Sequence, residues 1–264
     1  MTEDAKRPGA DLAGKVALVG GCTAGIGHAI ATAFLSAGAE GVMLNGRDAD
    51  RGEAARAALA DRFGADRVYL ALGDGARGAA QDLVDATCDR FGRLDVLVAS
   101  TGGEAMPALF HTLDPADIPD QVTSGFLGPI LLARAALPVM AAAGGGSITT
   151  VASDAAKIAT PGESVIGGVM AGIVMFTRGL AIEAKRANVR ANCLTPSIVR
   201  DTPLYERLMA DPFAGKLFIK AEAMAHLGVA EPEDLAALAV FLASDAARRI
   251  TGQAISVNGG ISAA

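Results

Sequence analysis

Short runs of five or six mostly apolar residues recur along the chain, separated by longer stretches in which apolar residues return every three or four positions. A short run that is apolar throughout is typical of a strand buried on both faces, and the longer repeat is typical of a helix. On this pattern we predict strands over residues 15–19, 41–45, 68–72, 94–98, 147–151, 189–194 and 254–257.

Helical repeats fill the gaps between these runs. We predict a helix over 26–35, a second after the second strand that ends near Arg62, and a third after the third strand that ends near residue 91. Two more helices are predicted over 118–142, with a bend at Pro129, and over 163–187. Strands that alternate with helices from end to end indicate a parallel sheet covered by helices on both faces. The expected fold is a single domain over 1–264: a doubly wound, Rossmann-like α/β sheet of about seven strands.

The segment 201–227 breaks this alternation. Long irregular segments inside α/β domains often close over a ligand pocket. We therefore expect 201–227 to be a mobile substrate cap. Its apolar residues suit a small hydrophobic molecule, and they suit a packed flap equally well.

Composition limits the partners and the location of the protein. Among its 264 residues the net charge is −6 and basic residues never run beyond two in a row, which disfavours nucleic acid as a partner. The apolar fraction of 51% favours burial of surface between subunits. No apolar run reaches the roughly 18–20 uncharged residues that cross a membrane, so we expect no membrane partner.

The cysteines and the first residues indicate a cytoplasmic protein. Three cysteines, odd in number and far apart, show no ligand-like spacing to the three histidines, so we expect reduced thiols and no metal site. The first six residues include two acids and no apolar stretch, which is unlike a secretory signal.

A glycine-rich turn joins the first predicted strand to the first predicted helix. Glycines allow a tight turn there, and the helix N-terminus offers N–H groups and the positive end of its dipole to a pyrophosphate. The turn therefore predicts a dinucleotide site, with these candidate residues: Gly21, Thr23, Gly25, Ile26 and Gly27.

The end of the second strand chooses between the two nicotinamide cofactors. An acidic residue there would bind the ribose 2′-hydroxyl, but the chain reads Asn45-Gly46-Arg47. Arg47 offers a planar fork to a 2′-phosphate, so NADP(H) is favoured over NAD(H). The alternative is a solvated surface arginine.

Several further motifs follow the glycine turn in order along the chain: the segment 91–98, Pro161-Gly162, the segment 177–181 with Glu183, Thr251-Gly252-Gln253 and the segment 257–260. Together with the glycine turn they resemble the short-chain dehydrogenase/reductase family over about residues 12–260. The resemblance implies an oxidoreductase that is usually a dimer or tetramer. It also implies further cofactor contacts after the fourth and sixth strands, at Ser100, Gly102, Pro196 and Ile198.

The chain departs from the family pattern in the cofactor site. The family's Asn-Asn-Ala-Gly after the fourth strand reads Ala-Ser-Thr-Gly over 99–102. Gly20 replaces a threonine, Ser197 replaces a glycine beside the nicotinamide, and the register of Asp74 near adenine is open. Together these changes predict a looser nicotinamide site.

The larger departure is in the catalytic residues. The family resemblance implies an Asn, Ser, Tyr and Lys tetrad, in which tyrosine exchanges the proton and lysine lowers its pKa. Ser153 fits the serine, but the tyrosine and lysine positions, 13 and 17 residues later, hold Ile166 and Met170. The asparagine position holds Gly125. Only Ser153 remains as a catalytic candidate, and the usual proton transfer is excluded.

Other groups could exchange the proton. Glu163 could share a helix face with Ile166 and Met170, or simply stabilise the helix N-terminus. Further candidates are Asp154, Lys157, Tyr205, Glu104 and His111. Each has a simpler interpretation: solvated loop charge for Asp154 and Lys157, packing for Tyr205, and a surface position for Glu104 and His111. Cys22 reads as a small filler in the turn.

Three functions stay open. The protein is a divergent NADP(H) oxidoreductase with a non-standard proton donor, acting on a small hydrophobic substrate. Alternatively, it is an inactive binding or partner subunit, a homodimer or homotetramer as the resemblance implies, or paired with an active paralogue through the helices at 118–142 and 163–187. In the third alternative the pocket performs non-redox isomerisation or elimination. Fold alone does not choose among them.

Overall fold

A computed structural model describes residues 11–100 and 105–264 of the chain. Seven parallel strands form one sheet in the order β3-β2-β1-β4-β5-β6-β7. Their bounds are β1 Val16–Gly20, β2 Gly41–Gly46, β3 Val68–Leu72, β4 Val96–Ala99, β5 Gly146–Val151, β6 Val189–Pro196 and β7 Ala254–Val257. The predicted fold class is confirmed, and the predicted strand ends differ from the observed ends by at most two residues.

Helices cover both faces of the sheet. They are α1 Gly25–Ser36, α2 Ala49–Phe63, α3 Ala80–Phe91, α4 Ile118–Val122, α5 Gly128–Ala142, α6 Ser164–Ala184, α7 Pro203–Ala210, α8 Ala214–Met224 and α9 Pro232–Ala243. One buried core joins the sheet to α1, α2 and α9, and a second joins it to α3, α5 and α6. Neighbouring residues of one strand serve opposite cores: Leu18 lies in the second and Val19 in the first. This alternation explains why the strands are apolar throughout.

The order of the strands reverses beside β1, which pairs with β2 on one side and β4 on the other. In open parallel sheets, ligands bind outside the carboxyl ends of the strands at such a point. The glycine turn after β1 and Ser100 after β4 lie there. Ser153 follows β5 at the same edge.

Several predictions of helices need correction. The segment 201–227, expected to break the alternation, contains two helices that were not predicted, α7 and α8. The bend expected at Pro129 lies earlier, where Thr123–Leu127 forms a π-helical turn between α4 and α5. Proline has no N–H to bond the carbonyl four residues before it, which here belongs to Gly125, and the chain adjusts around that carbonyl. Helix α9 was not predicted at all, although Pro232 begins it and Glu231 and Asp234 form a capping box.

By length and hydropathy alone, two helical stretches, 118–142 and 164–187, are long and apolar enough to cross a membrane. Both carry charged residues: Asp120 and Arg134 in the first, and Arg178, Glu183, Lys185 and Arg186 in the second. Both stretches contribute residues to the core beneath the sheet. The cytoplasmic location stays a prediction.

Candidate functional site

The glycine turn has the geometry of a phosphate cradle. Gly21 and Gly25 adopt positive φ angles of 69° and 56°, in the left-handed region that favours glycine. A Cβ on Gly27 would lie 2.4 Å from the carbonyl oxygen of Gly21, so helix and turn approach too closely for any side chain. No side chain caps the N-terminus of α1. Its first N–H groups are therefore available to an anion, as the pyrophosphate of a dinucleotide requires.

A cavity of about 810 Å³ runs from this turn to the segment after β6. Of the residues predicted to bind cofactor, seven line it: Gly21, Gly25, Ile26, Gly27, Ser100, Pro196 and Ile198. Thr23 and Arg47 are not part of its wall, and Gly102 lies outside the described residues. Both α7 and α8 also contribute to the wall, so the segment predicted to be a cap does border the cavity.

The end of β2 is closed to any side chain at position 46. A Cβ on Gly46 would lie 2.4 Å from the methyl carbon of Thr23, in the glycine turn. Beside it, Arg47 is mostly exposed, and its Nη1 lies 3.9 Å from the carboxylate of Asp74. Arg51, on the first turn of α2, lines the cavity and was missed by the sequence analysis. It also forms an ion pair with Asp48, the N-cap residue of α2.

Cys22 lies beneath the turn, fully buried. Its Sγ accepts a hydrogen bond from the backbone N–H of Asn45, and burial raises the pKa of the thiol to about 12. A neutral, enclosed thiol at this position fills space between the turn and β2, as the sequence suggested.

The four positions matched to the family tetrad line one cavity: Gly125, Ser153, Ile166 and Met170. The Oγ of Ser153 accepts a hydrogen bond from the backbone N–H of Ala155, 3.2 Å away. Within the described residues no acceptor takes the Ser153 hydroxyl proton, so that proton can be donated to a ligand.

The wall around Ser153 is apolar on the α6 side. Met170 packs against a small buried cluster that includes Ile173 and Cys193. A Cβ on Gly125 would lie 2.9 Å from Cγ1 of Val169. The side chain of Val169 thus occupies the space that a side chain at position 125 would need. The side chains of Ile166 and Met170 carry neither an exchangeable proton nor a charge, and burial raises the pKa of the nearby Cys193 thiol to about 11, which keeps it neutral.

Glu163 lies in the cavity wall at the N-cap of α6, three residues before Ile166. Gly162, just before it, is covered by the ring of Phe213 from the cap, and its carbonyl accepts the N–H of Ala108. Burial raises the pKa of the Glu163 carboxyl, and a hydrogen bond with Thr160 opposes the rise only in part. The carboxyl is thus more easily kept neutral than an exposed one.

The other candidates have partners of their own. Tyr205 lines the cavity, but its hydroxyl donates to Glu222 at 3.0 Å, and Arg200 also bonds that carboxylate. The hydrogen bond to Glu222 raises the pKa of Tyr205 above its ordinary value. His111 is exposed on a short 3-10 turn away from the cavity wall, and Glu104 lies outside the described residues.

The interpretation of Asp154 and Lys157 as solvated loop charges is wrong. Asp154 is buried and accepts hydrogen bonds from Asn258 and Ser262. Lys157 donates to the Ala254 carbonyl and to the hydroxyl of Ser256. Sequence reasoning missed these partners because they lie about a hundred residues further along the chain.

Among residues 11–100 and 105–264, no cluster of histidine, cysteine and carboxylate side chains could hold a metal ion. The chemistry of the cavity therefore depends on the glycine cradle, Ser153, Glu163 and the polar network around Asp154.

Comparisons with known proteins agree with this geometry. Residues 21–262 match a family model described as enoyl-(acyl carrier protein) reductase. The D-threitol dehydrogenase of Mycolicibacterium smegmatis is 36% identical over 254 residues, which cover 94% of this chain and 93% of that one. The chain belongs to the short-chain dehydrogenase/reductase family.

Solved members of the short-chain dehydrogenase/reductase family have the same fold and hold nicotinamide cofactors. L-Sorbose reductase from Gluconobacter frateurii, solved with NADPH and L-sorbose, is 31% identical with a TM-score of 0.86, covering 95% of this chain and 97% of its own. A 7α-hydroxysteroid dehydrogenase solved with NADH and 7-oxo glycochenodeoxycholic acid is 26% identical with a TM-score of 0.85, covering 95% of both chains. Family membership supports a general oxidoreductase, and these neighbours contain both kinds of nicotinamide cofactor.

Proposed function

We propose that the protein is an NADP(H)-dependent oxidoreductase that acts on a small hydrophobic carbonyl compound or alcohol without the tyrosine and lysine of its family. The observation that carries the proposal is the single cavity that joins the glycine cradle to Ser153 and Glu163 beneath an apolar wall. When bound, the nicotinamide supplies or takes up the hydride at the substrate carbon.

The preference for NADP(H) is supported by the end of β2. Because the methyl group of Thr23 fills the space beside Gly46, an acidic residue that would bind a ribose 2′-hydroxyl has no room there. Arg47 is exposed next to this point, and Arg51 borders the cavity one helical turn later. Two guanidinium groups suit a 2′-phosphate.

We assign the proton to Glu163. In reduction, the Ser153 hydroxyl donates a hydrogen bond to the substrate carbonyl oxygen while a new C–H bond forms at the carbonyl carbon. The neutral Glu163 carboxyl gives its proton to the developing alkoxide, becomes a carboxylate and regains a proton from solvent. The raised pKa of the half-buried Glu163 carboxyl supports this role, since an acid works best when its pKa approaches the working pH.

The first experiment is a titration of the protein with NADPH and with NADH, followed by nicotinamide fluorescence. We expect NADPH to bind at least about tenfold more tightly, which corresponds to about 1.4 kcal/mol. Replacing Arg47 and Arg51 together by glutamine should remove the preference while leaving NADH binding unchanged. Absence of binding by either cofactor would refute the proposed function.

A second candidate function is that of a partner subunit without catalysis of its own. The observation that favours it is the contact of Val169 with the position of Gly125, because a wall repacked in this way leaves no room for the family asparagine. Binding of NADPH with no hydride transfer to a panel of activated diketones would support this function over the first.

We also propose that the chain self-associates through α6. Met175 and Ile182, seven residues apart on this helix, are both more than 60% exposed. Large apolar side chains aligned on one helix face are typical of a surface that a second subunit covers.

A further inference from the structure

A buried polar cluster forms one end of the cavity, beside Ser153. The carboxylate of Asp154, only 5% exposed, accepts Nδ2 of Asn258 at 3.0 Å and Oγ of Ser262 at 2.5 Å on the same oxygen. Its other oxygen lies 3.3 Å from the hydroxyl of Ser256, which also receives the ammonium of Lys157 at 2.9 Å. These donors stabilise a carboxylate that is withdrawn from water.

Ser262 is the member of this cluster that shows what the cavity requires of a ligand. Its single hydroxyl proton is directed at Asp154, and one of its lone pairs accepts Nδ2 of Asn258 at 3.1 Å. Both Ser262 and Asp154 line the cavity. The remaining lone pair of Ser262 can therefore accept a hydrogen bond from a ligand, and the hydroxyl has no proton left to donate.

Ser153 has the opposite property. Its Oγ accepts the N–H of Ala155, and among the described residues nothing accepts its hydroxyl proton, so Ser153 has the proton for a ligand that Ser262 lacks. Ser153, a donor, is next in sequence to the buried carboxylate of Asp154, and Ser262, an acceptor, is bonded to that carboxylate. Together the two hydroxyls match two different oxygens of one molecule. A carbonyl oxygen fits Ser153, and a hydroxyl that donates fits Ser262.

We propose that the cavity takes hydroxy ketones, and the corresponding diols in the reverse direction, with Ser262 as the residue that selects the hydroxyl and Asp154 as the residue that positions Ser262. The proposal rests on the proposed function and names its substrate class. A ketone without the hydroxyl leaves the Ser262 oxygen without its third partner, and a burial of that kind is unfavourable. Because Asp154, which accepts Ser262 Oγ, directly follows Ser153, we place the ligand hydroxyl close to the reacting carbonyl. The rest of the wall is mostly apolar, which suits a molecule whose remainder is hydrophobic.

The test compares two probes that differ by one hydroxyl on the carbon next to the ketone, α-hydroxyacetophenone and acetophenone. Each is titrated calorimetrically into the full-length protein saturated with NADP⁺. The oxidised cofactor cannot reduce the ketone of either probe, and constant absorbance at 340 nm during the titration shows that the hydroxyl of the first probe is not oxidised. The ratio of the two dissociation constants then reports recognition alone. We expect the hydroxylated probe to bind about tenfold more tightly, as one well-made hydrogen bond allows. In Ser262→Ala the ratio should fall to about one, and in Ser262→Thr, which keeps the hydroxyl, it should recover.

Two further variants separate recognition from folding. Asp154→Asn frees the Ser262 hydroxyl to turn and donate, so the preference for the hydroxylated probe should weaken while both probes still bind. Ser124→Ala removes an exposed hydroxyl that bonds only the Asp120 carbonyl, and should leave the ratio unchanged. Thermal unfolding of each variant shows whether it is folded at the titration temperature.

Equal affinity of the wild-type protein for the two probes, or a ratio that survives in Ser262→Ala, would overturn the inference even if NADPH is bound and oxidised. If the protein binds neither NADPH nor NADH, the proposed function fails instead. The same titration without cofactor then decides the inference: a hydroxyl preference lost in Ser262→Ala supports it, and equal affinity overturns it.

Discussion

Alanine at position 125 tests whether the catalytic wall has been repacked as a unit. Gly125 lies in the π-helical turn before α5, and a Cβ there would stand 2.9 Å from Cγ1 of Val169 on α6. Elsewhere in a helix, replacing glycine by alanine stabilises by about 0.5–1 kcal/mol because alanine loses less backbone entropy. Here the added methyl group meets a β-branched side chain whose rotamer is fixed by its helix.

The two effects have opposite signs, and their sizes can be compared. Overpacking a filled site costs about 1–3 kcal/mol, which exceeds the gain from helix propensity. Gly125→Ala should therefore destabilise the protein by up to about 2.5 kcal/mol, or leave it unchanged at the lower limit. In a Val169→Ala background the contact is gone, and the same change should stabilise by about 0.5–1 kcal/mol.

The assay is a double-mutant cycle on thermal and urea unfolding of the four proteins. A coupling of about 1–3 kcal/mol should appear, because two residues in direct contact do not act independently. For a domain of this size it corresponds to roughly 2–4 °C in Tm for each kcal/mol. Additive effects, with Gly125→Ala equally stabilising in both backgrounds, would refute the packing argument. If the coupling is found, restoring the family asparagine, tyrosine and lysine requires a smaller residue at 169 as well.

Three other predictions follow from the same site. Gly46→Asp should lower Tm and gain no affinity for NADH until Thr23→Ser removes the opposing methyl group, with cofactor titration as the measurement. Because burial raises the pKa of Glu163, its contribution to stability is complete below 4.5 and is lost as the pH rises through the folded value. The stability of Glu163→Gln relative to wild type should thus increase with pH above 4.5. Its rate of carbonyl reduction should fall at least about a hundredfold. A pH-independent difference in Tm between the two proteins, or an unchanged rate, would contradict the assignment. Replacing Met175 and Ile182 by glutamate should give a monomer by light scattering, and an unchanged mass would exclude α6 as the interface.

The sheet could be predicted from the sequence because its central strands are covered on both faces, whereas the edge strands β3 and β7 are only partly buried. Uniform burial leaves an uninterrupted apolar run, as in Val16–Gly20 and Val96–Ala99, and such runs can be recognised without knowledge of their neighbours. Helix α9 was missed although its start carries a local signal, the capping box between Glu231 and Asp234. The irregular turn at Thr123–Leu127 was misplaced because proline acts on a carbonyl four residues before it.

Prediction of the site reached only as far as local motifs extend. The glycine turn and the positions of Ser153, Ile166 and Met170 depend on spacing along the chain, and the structure brings them to one cavity. The burial of Asp154 depends on partners 102–108 residues away, and no local pattern signals them. Its charge therefore suggested a solvated loop until the contacts were known.

The same long-range contacts fix when the cavity can form during folding. Asp154 immediately follows the reacting serine, yet the hydrogen bonds that hold its carboxylate come from Ser256, Asn258 and Ser262, around and after the last strand. Pairings this distant in sequence form late, because the loop between them must first be closed. A chain folded only as far as β6 would have its cofactor cradle and its serine. The loop after β5 that carries the serine would still have to keep the unpaired carboxylate of Asp154 in water. Assembly of the substrate wall is thus tied to completion of the sheet, so partly folded molecules expose an open and unselective crevice.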